Sequence, residues 1–298
     1  MKSWLKHIGQ LSTWSSLVLS LLTLGFFIPA FLDDADQRLE LSVYLILCVL
    51  NALLLMWTSY SSAVVRTRSA LPVFLYMLLC CTTINVYANW RGQVVVLLII
   101  LCCKLILNTY RQEDTTEESF LCGIMIALSA LLQPETAFFI LFLWLGLYIQ
   151  RALGIKSVMA SIVGIAVVAI YFALAAYFNF VCLCEWETIS THQWTFSVIN
   201  ILVSAWGLLL FMGSMVRFSE TGNSIQSFIM FFAAILLFAI VFLYRSNPDF
   251  SHLLPLAFVS VAALSTHYFS SRETVFSGIC FLLQIATFIG FYFYCLLA

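Results

Sequence analysis

Residues 157–181 read SVMASIVGIAVVAIYFALAAYFNFV, a run without one charged side chain. As an α-helix rising about 1.5 Å per residue it is about 37 Å long, enough to cross a hydrocarbon layer about 30 Å thick. A helix on the surface of a soluble protein needs a polar face, and this run has no charged residue to build one from. The whole chain of 298 residues has the same character. AVILMFWYC make up 63% of it, charged residues 9%, and the mean hydropathy is +1.05. An ordinary soluble domain carries about 25% charged residues. Soluble, disordered and collagen-like classes are therefore excluded. Thirteen Lys/Arg against fourteen Asp/Glu leave a net charge of −1, so no basic face for nucleic acid exists. The sequence predicts an all-α, polytopic transmembrane bundle, a single integral membrane domain over residues 1–298.

Working outward from that run and cutting at polar clusters gives eleven segments, within a range of ten to twelve. They are Leu11–Leu32, Leu41–Tyr60, Leu71–Tyr87, Val94–Leu107, Phe120–Leu132, Thr136–Tyr148, Ser157–Val181, Phe196–Val216, Ser227–Tyr244, Leu253–Tyr268 and Thr274–Leu297. Segments 94–107, 120–132 and 136–148 are short for a full crossing, and tilt, a thinned bilayer or shelter by other helices would accommodate them. Pro134 divides the fifth from the sixth, and Gln133-Pro134-Glu135 is read as a tight hairpin, with one long bent helix as the rival. With the N-terminus in the cytoplasm, Lys2, Lys6, Arg66, Arg68, Lys104, Arg111, Arg151, Lys156, Arg217 and Arg272 fall inside. Only Arg38, Arg91 and Arg245 fall outside. Ten against three is the bias the positive-inside rule demands. Lys104 lies within its span and is expected to snorkel to the interface. The basic start and long first apolar run predict a retained signal-anchor.

Bundles in lipid are held by close packing and interhelical hydrogen bonds. Ala160 with Gly164, and Ala169 with Ala173, put small residues on one stripe of the seventh span. That span is expected inside the bundle, the stripe serving packing rather than a dimer face. Asn51 and Gln284 lie mid-span and are expected to join helices to one another. Eight of the ten cysteines fall within apolar segments, where a thiol acts as a small hydrophobe. Cys182 and Cys184 lie near Glu185, Glu187 and His192, but that spacing is no recognised metal set. The run Arg111–Glu118 reads as a solvated inner turn.

The outer acids differ in kind. Asp33, Asp34 and Asp36 follow the first span directly, where headgroups meet water. Carboxylates this close raise one another's pKa, which suits a general base, and they could also bind a divalent cation that bridges a phosphate. No other cofactor is evident. Arg91 and Arg245 lie on the same face against the topological bias, and a guanidinium there suits a lipid phosphate.

An acidic first outer loop after the first span, short middle helices and the phrase Leu131-Leu132-Gln133-Pro134-Glu135-Thr136-Ala137 together resemble the GT-C superfamily of polyprenyl-phosphate-dependent glycosyltransferases. The chain is also similar to uncharacterised bacterial polytopic membrane proteins of this length. The GT-C resemblance implies a transferase taking a sugar from a polyprenyl-phosphate-linked substrate at the outer face of a bacterial cytoplasmic membrane. Its essential first-loop acid would be Asp33, Asp34 or Asp36. Arg91 and Arg245 would hold the substrate phosphate. Two alternatives stand beside it, a non-catalytic assembly subunit and a transporter for a small or lipidic solute.

Overall fold

A computed structural model describes residues 13–33, 38–61, 70–84, 89–109, 112, 114–178, 198–216, 223–245, 253–271 and 274–297. Among these residues there is no strand. In chain order the helices are α1 (Thr13–Thr23), α2 (Phe27–Asp33), α3 (Arg38–Ser61), α4 (Leu71–Thr82), α5 (Trp90–Asn108) and α6 (Thr116–Leu132). They continue with α7 (Phe139–Ile149), α8 (Ile155–Tyr177), α9 (Val198–Met215), α10 (Asn223–Arg245), α11 (Leu254–Ser271) and α12 (Val275–Leu297). The all-α bundle expected from the sequence is what forms, and each expected segment contains helix among its described residues. The first is broken by a 3₁₀ turn at Leu24–Phe26, and α4 stops at Thr82 rather than running on to Tyr87. Six helices (α3, α5, α8, α9, α10 and α12) are individually long and apolar enough to cross a membrane. The protein is membrane-integral by that criterion.

Two helices form the centre. Every residue of α4, and every residue of α11 from Leu254 to Phe269, is buried. α4 is enclosed by α1, α3, α11 and α12, and α11 by α9, α10, α4 and α5. Twelve residues of α4 span only about 18 Å. A helix sheathed in protein is free of the length that lipid imposes, which is why so short an apolar helix can occupy the middle.

The hydrogen bonds sort the helix ends into two groups. Tyr44 Oη donates to Cys80 O at 3.5 Å, so the start of α3 meets the end of α4. The Arg38 guanidinium lies 5.8 Å from the Phe31 ring, which adds the end of α2 to this group. At the opposite end Ala70 N donates to Ser16 Oγ at 3.1 Å. There too Thr115 Oγ1 donates to Ala152 O at 3.2 Å, joining the start of α6 to the residue beyond α7. The chain therefore reverses at Gln133-Pro134-Glu135. Gln133 is extended (φ −146°, ψ 102°) and Pro134–Phe138 is a 3₁₀ turn, so the hairpin holds and the bent helix is excluded.

α7 ends at Arg151, whose φ of 58° is the one positive value among described non-glycine residues. Ala152 N donates to Leu147 O at 2.9 Å and Arg151 N to Tyr148 O at 3.0 Å, a Schellman cap that normally places glycine where Arg151 stands. Left-handed backbone costs a side-chain-bearing residue about 1 kcal/mol. Arg151→Gly is expected to raise the thermal midpoint in detergent by a comparable increment, and a fall would show that the guanidinium itself holds the turn.

The position of α8 corrects an expectation. Only 11% of its span is buried, so it lies at the rim of the bundle and not inside. Ser157, Ala160, Ser161 and Gly164 are buried on the side where α8 packs against α6, whereas Ala169 and Ala173 are exposed. The small-residue stripe is a packing face only over its first half. Trp144 Nε1 adds a hydrogen bond to Ser161 Oγ at 3.1 Å. Lys104 is packed against its neighbours, with its ammonium 4.7 Å from the ring centroid of the exposed Trp57, a cation–π contact one turn from the end of α5.

Candidate functional site

The acidic run begins at a helix end. Asp33 is the last residue of α2, where the final carbonyls lack helical partners and the chain must leave the helix. The Asp33 side chain, Asp34 and Asp36 lie outside the described residues, as do Cys182, Cys184, His192, Asp249 and His252. Arg91 is the second residue of α5. Asn89 caps that helix, its Oδ1 accepting from Arg91 N at 2.8 Å and Gly92 N at 3.4 Å. The Arg91 side chain is exposed, its guanidinium 5.8 Å from the Trp90 ring.

The depth of Arg91 follows from one contact. Asn51 Nδ2 donates to Gln93 O at 2.9 Å, so the start of α5 is level with the middle of α3. At about 1.5 Å per residue, the Arg91 backbone sits about 15 Å along α3 from Arg38, beside which α2 ends. Arg91 therefore lies deeper than the backbone of Asp33, on the same half of the bundle. Arg245 closes α10, and its side chain is outside the described residues. The Phe138–Phe242 ring contact at 6.0 Å sets this end of α10 beside the 3₁₀ turn that carries Glu135. Here the Gln133 amide is buried, and neither its nitrogen nor its oxygen has a hydrogen-bond partner.

Between the ends lies a buried polar cluster. Gln93 Oε1 accepts from Asn51 Nδ2 at 2.9 Å and from Tyr76 Oη at 2.7 Å, and Gln93 Nε2 lies 3.7 Å from Cys80 Sγ. α3, α4 and α5 are stitched together at one residue. Asn51 thus joins helices as expected, and so does Gln284, whose Nε2 donates to Ser265 Oγ at 3.1 Å. Gln93 was not anticipated, because it falls just outside the fourth apolar segment. The asparagine that caps α5 is the signal that extends the helix back over it. Seven of the eight described cysteines are buried, and all eight are free thiols. Among the described residues no three His, Cys, Asp or Glu side chains converge on a metal-sized space.

A concavity among the described residues lies at the opposite end, between the starts of α6 and α8. One part, about 650 Å³, is lined by Gln112, Asp114, Arg151, Lys156 and Ser157 among others. A second, about 470 Å³, shares Asp114 and adds Glu117, Glu118, Phe120 and Ala160. Thr115 Oγ1 and Ser157 Oγ share a hydrogen bond at 2.7 Å, and Ser157 Oγ lies 3.3 Å from Ala152 O, which fixes the two walls. Asp114 Oδ1 accepts from the Thr116 hydroxyl and, at 3.1 Å, from Thr116 N. Those bonds, with a smaller contribution from Lys156, hold its carboxyl below the ordinary carboxylate pKa, so it is ionised at neutral pH. Sequence reasoning treated this run as a solvated turn because the facing Arg151 and Lys156 are distant in the chain. No protein-family model, characterised protein or solved structure matches the chain.

Proposed function

We propose that the chain is a membrane-embedded transferase of the GT-C kind, acting on a lipid-phosphate-linked substrate at one face of a bacterial cytoplasmic membrane. The observation that carries the proposal is the filled centre of the bundle. α4 and α11 are enclosed by other helices and carry no charged side chain, so the charged groups able to do this chemistry are those borne near helix ends. A carboxylate among Asp33, Asp34 and Asp36 takes the proton of the acceptor hydroxyl as its oxygen bonds to the anomeric carbon. The bond from that carbon to the phosphate oxygen breaks, and the polyprenyl phosphate leaves with the electron pair. Arg91 and Arg245 neutralise the departing charge. The greater depth of Arg91 agrees in direction with such a substrate, whose phosphate lies nearer the hydrocarbon than the acceptor does.

The test is replacement of Asp33, Asp34 and Asp36 together by Asn in a host where deletion gives a surface-glycan defect. The variant is expected to accumulate in the membrane at the level of the unaltered chain and to leave the defect uncorrected. Full correction would refute the transferase. One observation favours a second role as an assembly subunit: from Ile165 to Tyr177 α8 has no buried residue. That stretch meets lipid or a partner helix, and a solitary monomer in native mass measurements after mild extraction would count against a partner.

A further inference from the structure

The cleft between α6 and α8 belongs to the other end of the bundle and stands independently of the transferase proposal. Its charges are segregated. Arg151 and Lys156 stand on one side, Glu117 and Glu118 on the other, with Asp114 common to both parts. None of these five forms an ion pair among the described residues, although Asp114 lines both parts of the cleft. Five charges held apart across a cleft, rather than collapsed onto one another, fit a ligand that carries both signs. The cleft also borders exposed apolar surface. Ile155 lines it at 86% exposure, and Met159, one turn further along α8, is 55% exposed. Together they extend an apolar track from the cleft along the outside of the bundle.

We propose that this cleft holds the headgroup of a zwitterionic phospholipid with a primary ammonium, a phosphatidylethanolamine. The phosphate lies against Arg151 and Lys156, and the ammonium lies against Asp114, Glu117 and Glu118. The acyl chains follow Ile155 and Met159. The chemistry discriminates between the common headgroups. Phosphatidylglycerol carries only negative charge and meets the three acids. Phosphatidylcholine has a quaternary ammonium with no N–H to donate to a carboxylate. The hydrogen bond between Thr115 and Ser157 sets the spacing of the walls before the lipid arrives, so little order is lost on binding.

The experiment uses the full chain in detergent, incubated with equal amounts of phosphatidylethanolamine, phosphatidylglycerol and phosphatidylcholine of identical acyl composition. Bound lipid is read by native mass spectrometry. Charge-assisted hydrogen bonds at both poles are expected to give about tenfold preferential retention of phosphatidylethanolamine. Arg151→Gly with Lys156→Gln is expected to abolish that preference, although Arg151→Gly by itself relaxes backbone strain and so separates binding from folding. Asp114→Asn with Glu117→Gln is expected to let phosphatidylglycerol bind as well as phosphatidylethanolamine. Should any variant fail to fold, excess glycerophosphoethanolamine must displace the lipid from the unaltered chain. Equal retention of the three lipids, a preference that survives both pairs of substitutions, or no displacement by the soluble headgroup would each overturn the site.

Discussion

Replacing Gly164 by Leu is expected to yield no folded protein, and Gly164→Ala to cost about 3 kcal/mol, the upper end for overpacking a filled interface. A Cβ on Gly164 would overlap the carbonyl oxygen of Phe120 and lie 3.1 Å from the Ile124 nitrogen. Across the same seam a Cβ on Gly123 would overlap the Ser161 carbonyl oxygen and lie 3.1 Å from its Cα. The obstacles are backbone atoms of helices in contact, so no rotamer change relieves them. α8 must back away from α6 along its length. It has almost nothing else to hold it, since its buried residues are confined to Ser157, Ala160, Ser161 and Gly164. In an open helical position the same change is favourable by up to about 1 kcal/mol, because alanine is the better helix former. Gly290 in α12 supplies that control, since a methyl placed there would find no neighbour within 4 Å. Thermal unfolding in detergent should therefore move in opposite directions for Gly164→Ala and Gly290→Ala. Equal or higher stability for Gly164→Ala would show that α8 is not seated on α6 as described.

The second large effect is at Gln93. Gln93→Leu removes the acceptor of both the Asn51 amide and the Tyr76 hydroxyl, all three side chains being fully buried. A buried polar group left unpaired costs about 1–3 kcal/mol, so the two together are expected to cost about 3 kcal/mol. Asn51 keeps one bond, to the Gln93 carbonyl, which leucine preserves. Asn51→Leu combined with Gln93→Leu should therefore be less damaging than the sum of the single changes. Interhelical hydrogen bonds in bundles of this kind couple by about 1 kcal/mol, which a double-mutant cycle on the four proteins resolves. A Gln93→Leu protein as stable as the unaltered chain would mean that α3, α4 and α5 are joined by apolar packing alone.

These residues also show what a sequence can reveal. The apolar runs, the reversal at Pro134 and the interhelical roles of Asn51 and Gln284 were legible, because each rests on local composition or on the cost of a lone amide in hydrocarbon. The ordering of helices from centre to rim was not. Lipid tails are as apolar as leucine, so the α4 sequence LPVFLYMLLCCT, buried all round, and the α8 sequence, exposed nearly all round, look alike by hydropathy. Spacing showed that Ala160, Gly164, Ala169 and Ala173 share a stripe. It could not show that α6 meets only the first two. Gln93 was hidden by a boundary drawn at hydrophobicity rather than at the Asn89 cap. For the candidate sites, polarity was legible but convergence was not. Arg151 and Asp114 face one cleft because Thr115 bonds to Ala152 and Ser157, a link that no local pattern announces.

The enclosed middle helix has a consequence for biogenesis. A stretch of twelve residues is too brief to rest comfortably in a bilayer alone, yet α4 is synthesised long before α11, which supplies one of its walls. During synthesis it must shelter against α1 and α3, or be held by the insertion machinery, until α11 has emerged. Ribosomes that stall before α11 would therefore release a chain with an unsheathed, undersized helix, a form that membrane proteases are suited to remove. Completion of the bundle is thereby tied to the emergence of α11.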